Sequence, residues 1–328
     1  MPRVLSKDVG PVGYGLASLT IPPKIPPEAQ ALECLRAAAD ADCLVWNAGE
    51  FYGTPTYNSL VLLGHFFAKY PEYADKVLLN VKGALLPAMA PCGDPEHIRK
   101  SVGTCLAQLG GHGQIDMYEM ARIDPNVPLR VQLNTLKSLV LEGKIGSVAL
   151  TEVNAETIRE AASIVDISSV EIELSLFCTD PLHNGILTTC AELRIPVMAY
   201  CPVGRGFLSG KLQSHDDIPE GDYRRMLPKY RPENLEVNLK LVKEVQKMAD
   251  RKGVTTSQIA LGWLLGLSNR EDMPTIIPIP GSASEQHIRE NAAAVPLSKE
   301  EMEAVDAILA QNPIVGERYH AHGMKFIN

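Results

Sequence analysis

No run in the chain approaches the roughly 18 apolar residues that a membrane-spanning helix needs, and no basic segment followed by an apolar stretch opens it in the manner of a secretory signal. Blocks of Lys or Arg that could neutralise a row of phosphates are also missing. With a formal net charge of -8, neither nucleic acid nor a membrane surface is expected as a partner. The seven cysteines (Cys34, Cys43, Cys92, Cys105, Cys178, Cys190 and Cys201) are odd in number and never form a Cys-x-x-Cys pair. That pattern excludes a disulfide framework and a zinc cluster. No metal centre is expected, and a reducing compartment follows, the cytoplasm first and the nucleus as an alternative. Two dinucleotide-enzyme signatures are incomplete. Gly13-Tyr14-Gly15-Leu16-Ala17-Ser18 carries two of the three glycines of a Rossmann fingerprint, and no Tyr-x-x-x-Lys occurs.

What is present is alternation. Short runs rich in Val, Ile and Leu alternate with longer segments whose apolar residues recur at helical spacing, the signature of repeated βα units and a parallel sheet. Eight units can be counted, with strands expected at Val12–Leu16, Cys43–Asn47, Val77–Lys82, Ile115–Ala121, Ser147–Thr151, Ser169–Leu174, Ile195–Cys201 and Thr275–Pro278. Between them, Leu32, Leu35 and Ala39 share one helical face, as do Leu133, Leu136 and Val140. Asp94 before Pro95 reads as an N-cap with proline at the first helical position. Thr255–Gln258 and Ser298–Glu301 match the capping box, the second opening a last helix with Met302, Val305 and Leu309 as its apolar stripe.

The fold class that follows is α/β: a single (β/α)8 TIM barrel domain over residues 1–328, with a long loop after strand 7 and an extra C-terminal helix. That loop, from Val203 to Asn234, is rich in Gly, Pro and charge and precedes a helix carrying Leu241, Val245 and Met248. Long connections after barrel strands form the active-site face, so a cofactor or substrate cover is expected there.

The second strand ends in Trp46-Asn47-Ala48-Gly49-Glu50-Phe51-Tyr52-Gly53, which turns a tyrosine toward the barrel mouth, and the third ends in Val81-Lys82-Gly83, which brings a lysine to the same face. An ammonium favours phenolate, so the pair makes a general acid whose pKa is lowered toward the operating pH. A tyrosine at a strand end can equally serve packing. Glu119 lies two residues before Ala121, on the same side of its strand, and Lys82 would be its partner in the lumen, either as a tuning group or as a structural ion pair.

Several further segments, in order, bring a resemblance with them. They are Gly143-Lys144-Ile145-Gly146-Ser147-Val148, then Ala199-Tyr200-Cys201-Pro202-Val203-Gly204-Arg205-Gly206-Phe207-Leu208-Ser209-Gly210-Lys211, then Val254 to Leu261, Pro278-Ile279-Pro280-Gly281-Ser282, Glu290-Asn291 and Gly316-Glu317-Arg318-Tyr319. Together with the strand 2 motif, the chain resembles the aldo-keto reductase superfamily over nearly its full length. The resemblance implies a catalytic set in which Tyr52 donates the proton and Lys82 tunes it. The family's aspartate and histidine are here Asn47 and Ala121. Asn-Ala-Gly-Glu-Phe-Tyr-Gly with Ala-Arg-x-Asp-Pro looks like the fungal pyridoxal reductases. Asn47 can hydrogen-bond Lys82 but not neutralise it, so the lysine is expected to act on Tyr52 as a bare cation. Ala121 removes a hydrogen-bond donor and leaves room, suited to a substituted aromatic aldehyde.

The same resemblance implies NADPH as cofactor. Tyr200 would stack on the nicotinamide, with Gly15 at the end of strand 1 lining its pocket. Thr151 and Glu152 stand at the carboxamide-binding positions, as does Glu171, where the family has amides. Cys201, Pro202, Gly204, Gly206 and Lys211 would border the cofactor after strand 7. Gly281, Ser282 and Ser284 precede a helix N-terminus suited to an anion, and His287 and Asn291 fall at the adenine side, His287 where an arginine is commoner. Arg205, Lys211 and Arg289 are further phosphate candidates that could equally be solvated surface charges. The reaction implied is reduction of a small-molecule aldehyde, pyridoxal to pyridoxine, by an NADPH-dependent enzyme. A nucleotide-binding regulatory subunit like the potassium-channel β subunits, or a Schiff-base aldolase using Lys82, are the alternatives. Oligomeric state is not legible.

Overall fold

The computed structural model describes residues 2–293 and 295–324. Eight strands form one parallel sheet: β1 (Tyr14–Gly15), β2 (Val45–Gly49), β3 (Leu78–Gly83), β4 (Met117–Met120), β5 (Val148–Thr151), β6 (Ile167–Glu173), β7 (Val197–Tyr200) and β8 (Ile276–Pro278). Each lies beside its neighbour in sequence. The sheet closes on itself, because the Gly13 N–H donates to Pro278 O at 2.9 Å and the Gly15 N–H to Pro280 O at 3.2 Å. All eight expected strands are present, with ends displaced by a few residues. β2 runs on to Gly49, and Ala121 falls just past β4.

Helices α1 (Glu28–Asp40), α2 (Ser59–Lys69), α3 (Pro95–Gln108), α4 (Leu129–Leu141), α5 (Ala155–Ala162) and α6 (Ile186–Leu193) follow the first six strands in turn. The expected signals act as read. The Asp94 side chain accepts from the N–H groups of Glu96 and His97, and both capping boxes form, at Thr255 and at Ser298. After β7 the long connection is a series of short 3₁₀ turns. Helix α7 (Pro232–Lys252) begins ahead of the stripe that announced it, with Pro232 in its first turn, and α8 (Thr256–Leu267) packs beside it. Helices α9 (Glu285–Ala292) and α10 (Lys299–Gln311) complete the ring, α10 being the extra C-terminal helix.

The lumen is built by a period of two. Val45, Leu78, Met117, Ala149, Met198 and Ile277 form an apolar bottom layer. It is capped by Val4 and Val9 from an N-terminal hairpin, Arg3–Val4 with Lys7–Asp8, too short to leave a sequence signal. Side chains alternate faces along a strand, so residues two further on line the layer above. Those residues are Asn47, Asn80, Glu119, Thr151, Tyr200 and the apolar Ile279, with Glu171 entering from β6. The barrel is therefore apolar below and polar toward its C-terminal mouth. Among the described residues no helix is long and apolar enough to cross a membrane.

Candidate active site

Beyond β2 the chain doubles back within four residues to bring Tyr52 beside Lys82. Two glycines permit this. A Cβ on Gly49 would lie 3.0 Å from the Tyr52 ring, and Gly53 has a φ of +125°, which L side chains rarely adopt. The Ser59 hydroxyl, at the start of α2, accepts from the Gly49 N–H and donates to its carbonyl, both at 3.0 Å. The Glu50 N–H donates to Lys82 O at 2.8 Å, joining the turn to β3. The Lys82 ammonium is 5.8 Å from the centre of the Tyr52 ring.

Lys82 is 5% exposed and anything but bare. Its Nζ donates to Asn47 Oδ1 at 2.8 Å, pairs directly with Glu171 from β6, and lies 3.4 Å from Glu119 Oε1 on β4. Asn47 donates its Nδ2 to Glu171 Oε2 at 2.6 Å, and Asn80 donates to Glu119 Oε1 at 3.1 Å. This corrects the expectation of an unneutralised lysine: the missing aspartate of β2 is replaced in space by a carboxylate from another strand. The correction extends to the phenol. Burial pushes Tyr52 up, the charge of Lys82 pulls it back, and Glu171 and Glu119 add to the rise, which leaves the phenol at about 12 rather than lowered. Burial also works against the charge on Lys82, but Glu171, Tyr52 and Glu119 outweigh it and hold the amine above its ordinary range. At neutral pH the pair is therefore a protonated phenol beside an ammonium, equipped to give a proton and not to take one. Ala121, 2% exposed, is tied to the end of β3 through its N–H to Gly83 O at 2.9 Å.

A second cluster occupies the mouth on the β5 to β7 side. Arg318, from the segment after α10, pairs with Glu152 at 2.8 Å and Glu173 at 3.1 Å and donates to the Tyr200 hydroxyl at 3.0 Å. Tyr200 and Tyr319 share a hydrogen bond of 2.9 Å, and Arg205 pairs with Glu173 at 2.7 Å while its guanidinium sits 4.5 Å from the centre of the Tyr319 ring. Glu152 also accepts from the Glu173 N–H at 2.9 Å. Glu171, which sequence reading put with the cofactor residues, is thus engaged by Lys82 and Asn47, and Glu152 by Arg318. Sequence reasoning gave Arg318 and Tyr319 no role. Glu152 and Arg318 lie 166 positions apart, and nothing local marks them as a pair.

Whether this mouth suits a dinucleotide can be judged from groups that folding leaves unserved, since buried polar atoms ordinarily find partners. The Thr151 hydroxyl, the Ser18 hydroxyl and Arg205 Nε are buried and have no hydrogen-bond partner among the described residues. They stand at or just beyond the ends of β5, β1 and β7. Near the β1 and β8 ends, Gly15 and Gly281 are pressed backbone to backbone. A Cβ on Gly281 would meet Gly15 O at 2.9 Å, which keeps that rim thin. Ser282 and Ser284 are linked, the Ser284 N–H donating to Ser282 Oγ at 3.1 Å, and Ser284 opens α9 without capping it through its side chain. His287 pairs loosely with Glu290 at 3.7 Å, and Asn291 follows one turn on. In the β7 loop Cys201 and Gly206 hold positive φ, +51° and +100°, Pro202 is buried, and Gly204 O accepts from the Tyr230 hydroxyl at 3.0 Å. Lys211 is exposed. The unpartnered Thr151 and Ser18 hydroxyls and Arg205 Nε leave hydrogen-bonding capacity at the mouth that suits a polar bound group.

Comparison with known proteins agrees with this geometry. Residues 11–310 match the model of the Aldo/keto reductase family. The chain is 40% identical, over 98% of its length and 97% of the relative's, to a Schizosaccharomyces pombe protein named "Probable pyridoxal reductase 2". It is 31% identical, over 97% of its length and 94% of the relative's, to "Aldo-keto reductase yakc [NADP(+)]" of the same organism. Among solved structures, a glycerol dehydrogenase from Gluconobacter oxydans superposes with a TM-score of 0.82 over 96% of each chain at 23% identity, a likeness of fold. A closed eight-stranded barrel with tyrosine and lysine side by side in its mouth, matched along most of its length by the family's own sequence pattern, is that of an oxidoreductase: the chain belongs to the aldo/keto reductase family.

Proposed function

We propose that the protein reduces pyridoxal to pyridoxine, with NADPH as the reductant and Tyr52 as the proton donor. The observation that carries the reading is the placement of the Tyr52 phenol beside the buried Lys82 ammonium, 5.8 Å from the centre of its ring, in the barrel mouth. A reduced nicotinamide held in the mouth would supply the hydride that the carbonyl carbon takes up. The chain supplies the proton: Tyr52 hydrogen-bonds the carbonyl oxygen and transfers its phenolic hydrogen as negative charge develops there, while Lys82 stabilises the resulting phenolate.

Thr151 offers a hydroxyl and Arg205 a guanidinium N–H toward the cofactor, and the first turn of α9 offers its N–H groups to a phosphate. NADPH in preference to NADH draws on the NADP(+) in the name of the second relative, and pyridoxal on the name of the first. The aldolase reading loses ground, because a Schiff-base lysine must be neutral to attack and Lys82 is held as a cation by Glu171 and Glu119.

The test is NADPH oxidation, followed at its absorbance band, with pyridoxal and several unrelated aldehydes, for the parent and Tyr52→Phe. Turnover on pyridoxal that falls by about 10²–10⁴ in the variant is the expected result. Faster turnover of another aldehyde would keep the mechanism and remove the substrate. Cofactor binding without turnover on any carbonyl would overturn the reading.

A further inference from the structure

Three ionisable groups crowd the polar layer of the lumen, and their charges do not balance. Lys82 brings one positive charge. Glu171 pairs directly with it, and Glu119 approaches it to 3.4 Å, so both carboxylates would draw on a single ammonium. Facing Glu119 across the lumen are Lys82 and Asn80 on β3, Glu171 on β6, Asn47 on β2 and the phenol of Tyr52. Lys82 is the only cation among them. Glu119 is 0% exposed, Asn80 donates to its Oε1 at 3.1 Å, and among the described residues its Oε2 has no donor, the Glu171 carboxylate being the group within hydrogen-bonding reach of the Glu119 carboxyl. An ionised carboxylate buried with one oxygen unserved and a like charge at its side is costly, whereas the neutral acid is not. Burial first and Glu171 second accordingly hold the Glu119 carboxyl well above the usual range.

We propose that Glu119 stores, as a carboxylic acid, the proton that recharges the Lys82–Tyr52 pair after each reduction. This rests on Tyr52 being the proton donor. The sequence balances as follows. The Tyr52 O–H bond breaks and its proton goes to the substrate oxygen. An Nζ–H of Lys82 then restores the phenol, leaving a neutral amine, and the Glu119 proton, carried on Oε1, the carboxyl oxygen 3.4 Å from Nζ, passes to that amine and restores the ammonium. Glu119 is left as a carboxylate, and a proton from water refills it. No electrons move in these steps beyond the hydride already delivered by the reduced dinucleotide. Glu119 is therefore a positioning and supply group that acts through Lys82 and does not touch the substrate.

The experiment pairs infrared spectroscopy with kinetics. In the parent near neutral pH a protonated-carboxyl C=O stretch should be present. It should survive in Tyr52→Phe, vanish in Glu119→Gln, and vanish in Glu171→Gln, where loss of the like charge lets Glu119 ionise against Lys82. In Glu119→Gln, which keeps the shape and the Asn80 contact, kcat on pyridoxal should fall at least tenfold with KM unchanged. The solvent isotope effect on kcat should rise, because refilling from water becomes limiting, and Glu119→Asp should recover part of the rate. A band that persists in both Gln variants, or a Glu119→Gln enzyme with parental kcat and isotope effect, overturns the proposal. If Glu119→Gln does not fold, Glu119→Asp decides the protonation, because a shifted band in that variant assigns the proton to the residue 119 carboxyl and an unshifted one overturns the proposal. An inactive parent that still shows the Glu119 band would sink the function proposed above and with it the supply step, while the stored proton would stand.

Discussion

Asn47 Nδ2 lies 2.6 Å from Glu171 Oε2, and through that contact β2 and β6 hold the counter-ion of Lys82 between them. The negative charge enters from the far wall of the lumen and not from the strand that carries Tyr52. Replacing Glu171 and Glu119 together by Gln should therefore free part of the field of Lys82 to act on the phenol, because the double variant removes both carboxylates that raise Tyr52, where Glu171→Gln alone would let Glu119 ionise in its place, and leaves the ammonium that lowers it. The expected outcome is a Tyr52 pKa below the parent's value of about 12, read as phenolate absorbance against pH with Tyr52→Phe as the blank. The pH-rate limb set by the phenol should move to lower pH in step. A limb that stays in place would mean that these two carboxylates do not set the acidity of Tyr52.

The turn that carries Tyr52 gives a prediction with a different signature. A methyl group on Gly49 would sit 3.0–3.1 Å from three carbons of the Tyr52 ring, closer than side chains normally pack, so the ring must shift by a few tenths of an ångström. Catalytic alignment is sensitive on that scale. Gly49→Ala should lose about tenfold in kcat with a small change in Tm and an unchanged affinity for NADPH, measured by turnover, calorimetry and fluorescence titration. Loss of folding and activity together would show that the turn, and not the ring, is what the methyl group disturbs.

At the other side of the mouth, Arg318 anchors the last described segment onto Glu152 and Glu173. Burial pushes Glu173 up, but the charges of Arg205 and Arg318 outweigh it and hold the carboxyl below the usual range. A carboxyl with a depressed folded pKa contributes stability above its unfolded value, near 4.3, and loses that contribution as pH falls through the folded value. Arg318→Met strips a buried carboxylate pair of one partner. It should cost about 3 kcal/mol or more at pH 7, with the gap from the parent narrowing as pH falls below about 4. Thermal unfolding of both proteins between pH 3 and 8 checks this, and a gap independent of pH would place the effect in packing of the tail.

How far the sequence led differs between the barrel and its mouth. Strand and helix signals are local, so all eight βα units could be read from runs and caps, and Tyr52 and Lys82 from the strand ends that carry them. The hairpin Arg3–Val4 with Lys7–Asp8 escaped because two-residue strands have no period. The charge pattern escaped for a deeper reason. Lys82 and Glu171 are 89 positions apart, and which carboxylate neutralises a lysine in a closed barrel depends on the phase of every strand between them. The sequence reading of Glu119 as a partner of Lys82 agrees with the 3.4 Å separation because it used a rule of phase within one strand. The reading of a bare lysine failed because it weighed only the residue at one motif position.

Ala121 is where substrate choice should be visible. It follows β4 directly, is 2% exposed, and lies two residues beyond Glu119 on the same face, so a larger side chain there would grow toward the mouth and not into the helical shell. If the small residue is what admits a substituted aromatic aldehyde, Ala121→His should lower kcat/KM for pyridoxal by at least tenfold and leave a slim aliphatic aldehyde within about twofold. The imidazole would supply a donor to the carbonyl oxygen of the smaller substrate while blocking the ring of the larger one. Rates for both aldehydes on the same preparation separate this from damage to the fold, which would depress them equally. Parental activity on pyridoxal in the variant would show that the ring binds elsewhere in the mouth, and the exposed side chains of the β3 and β7 loops, Leu86, Met89 and Met226, would then be the places to look.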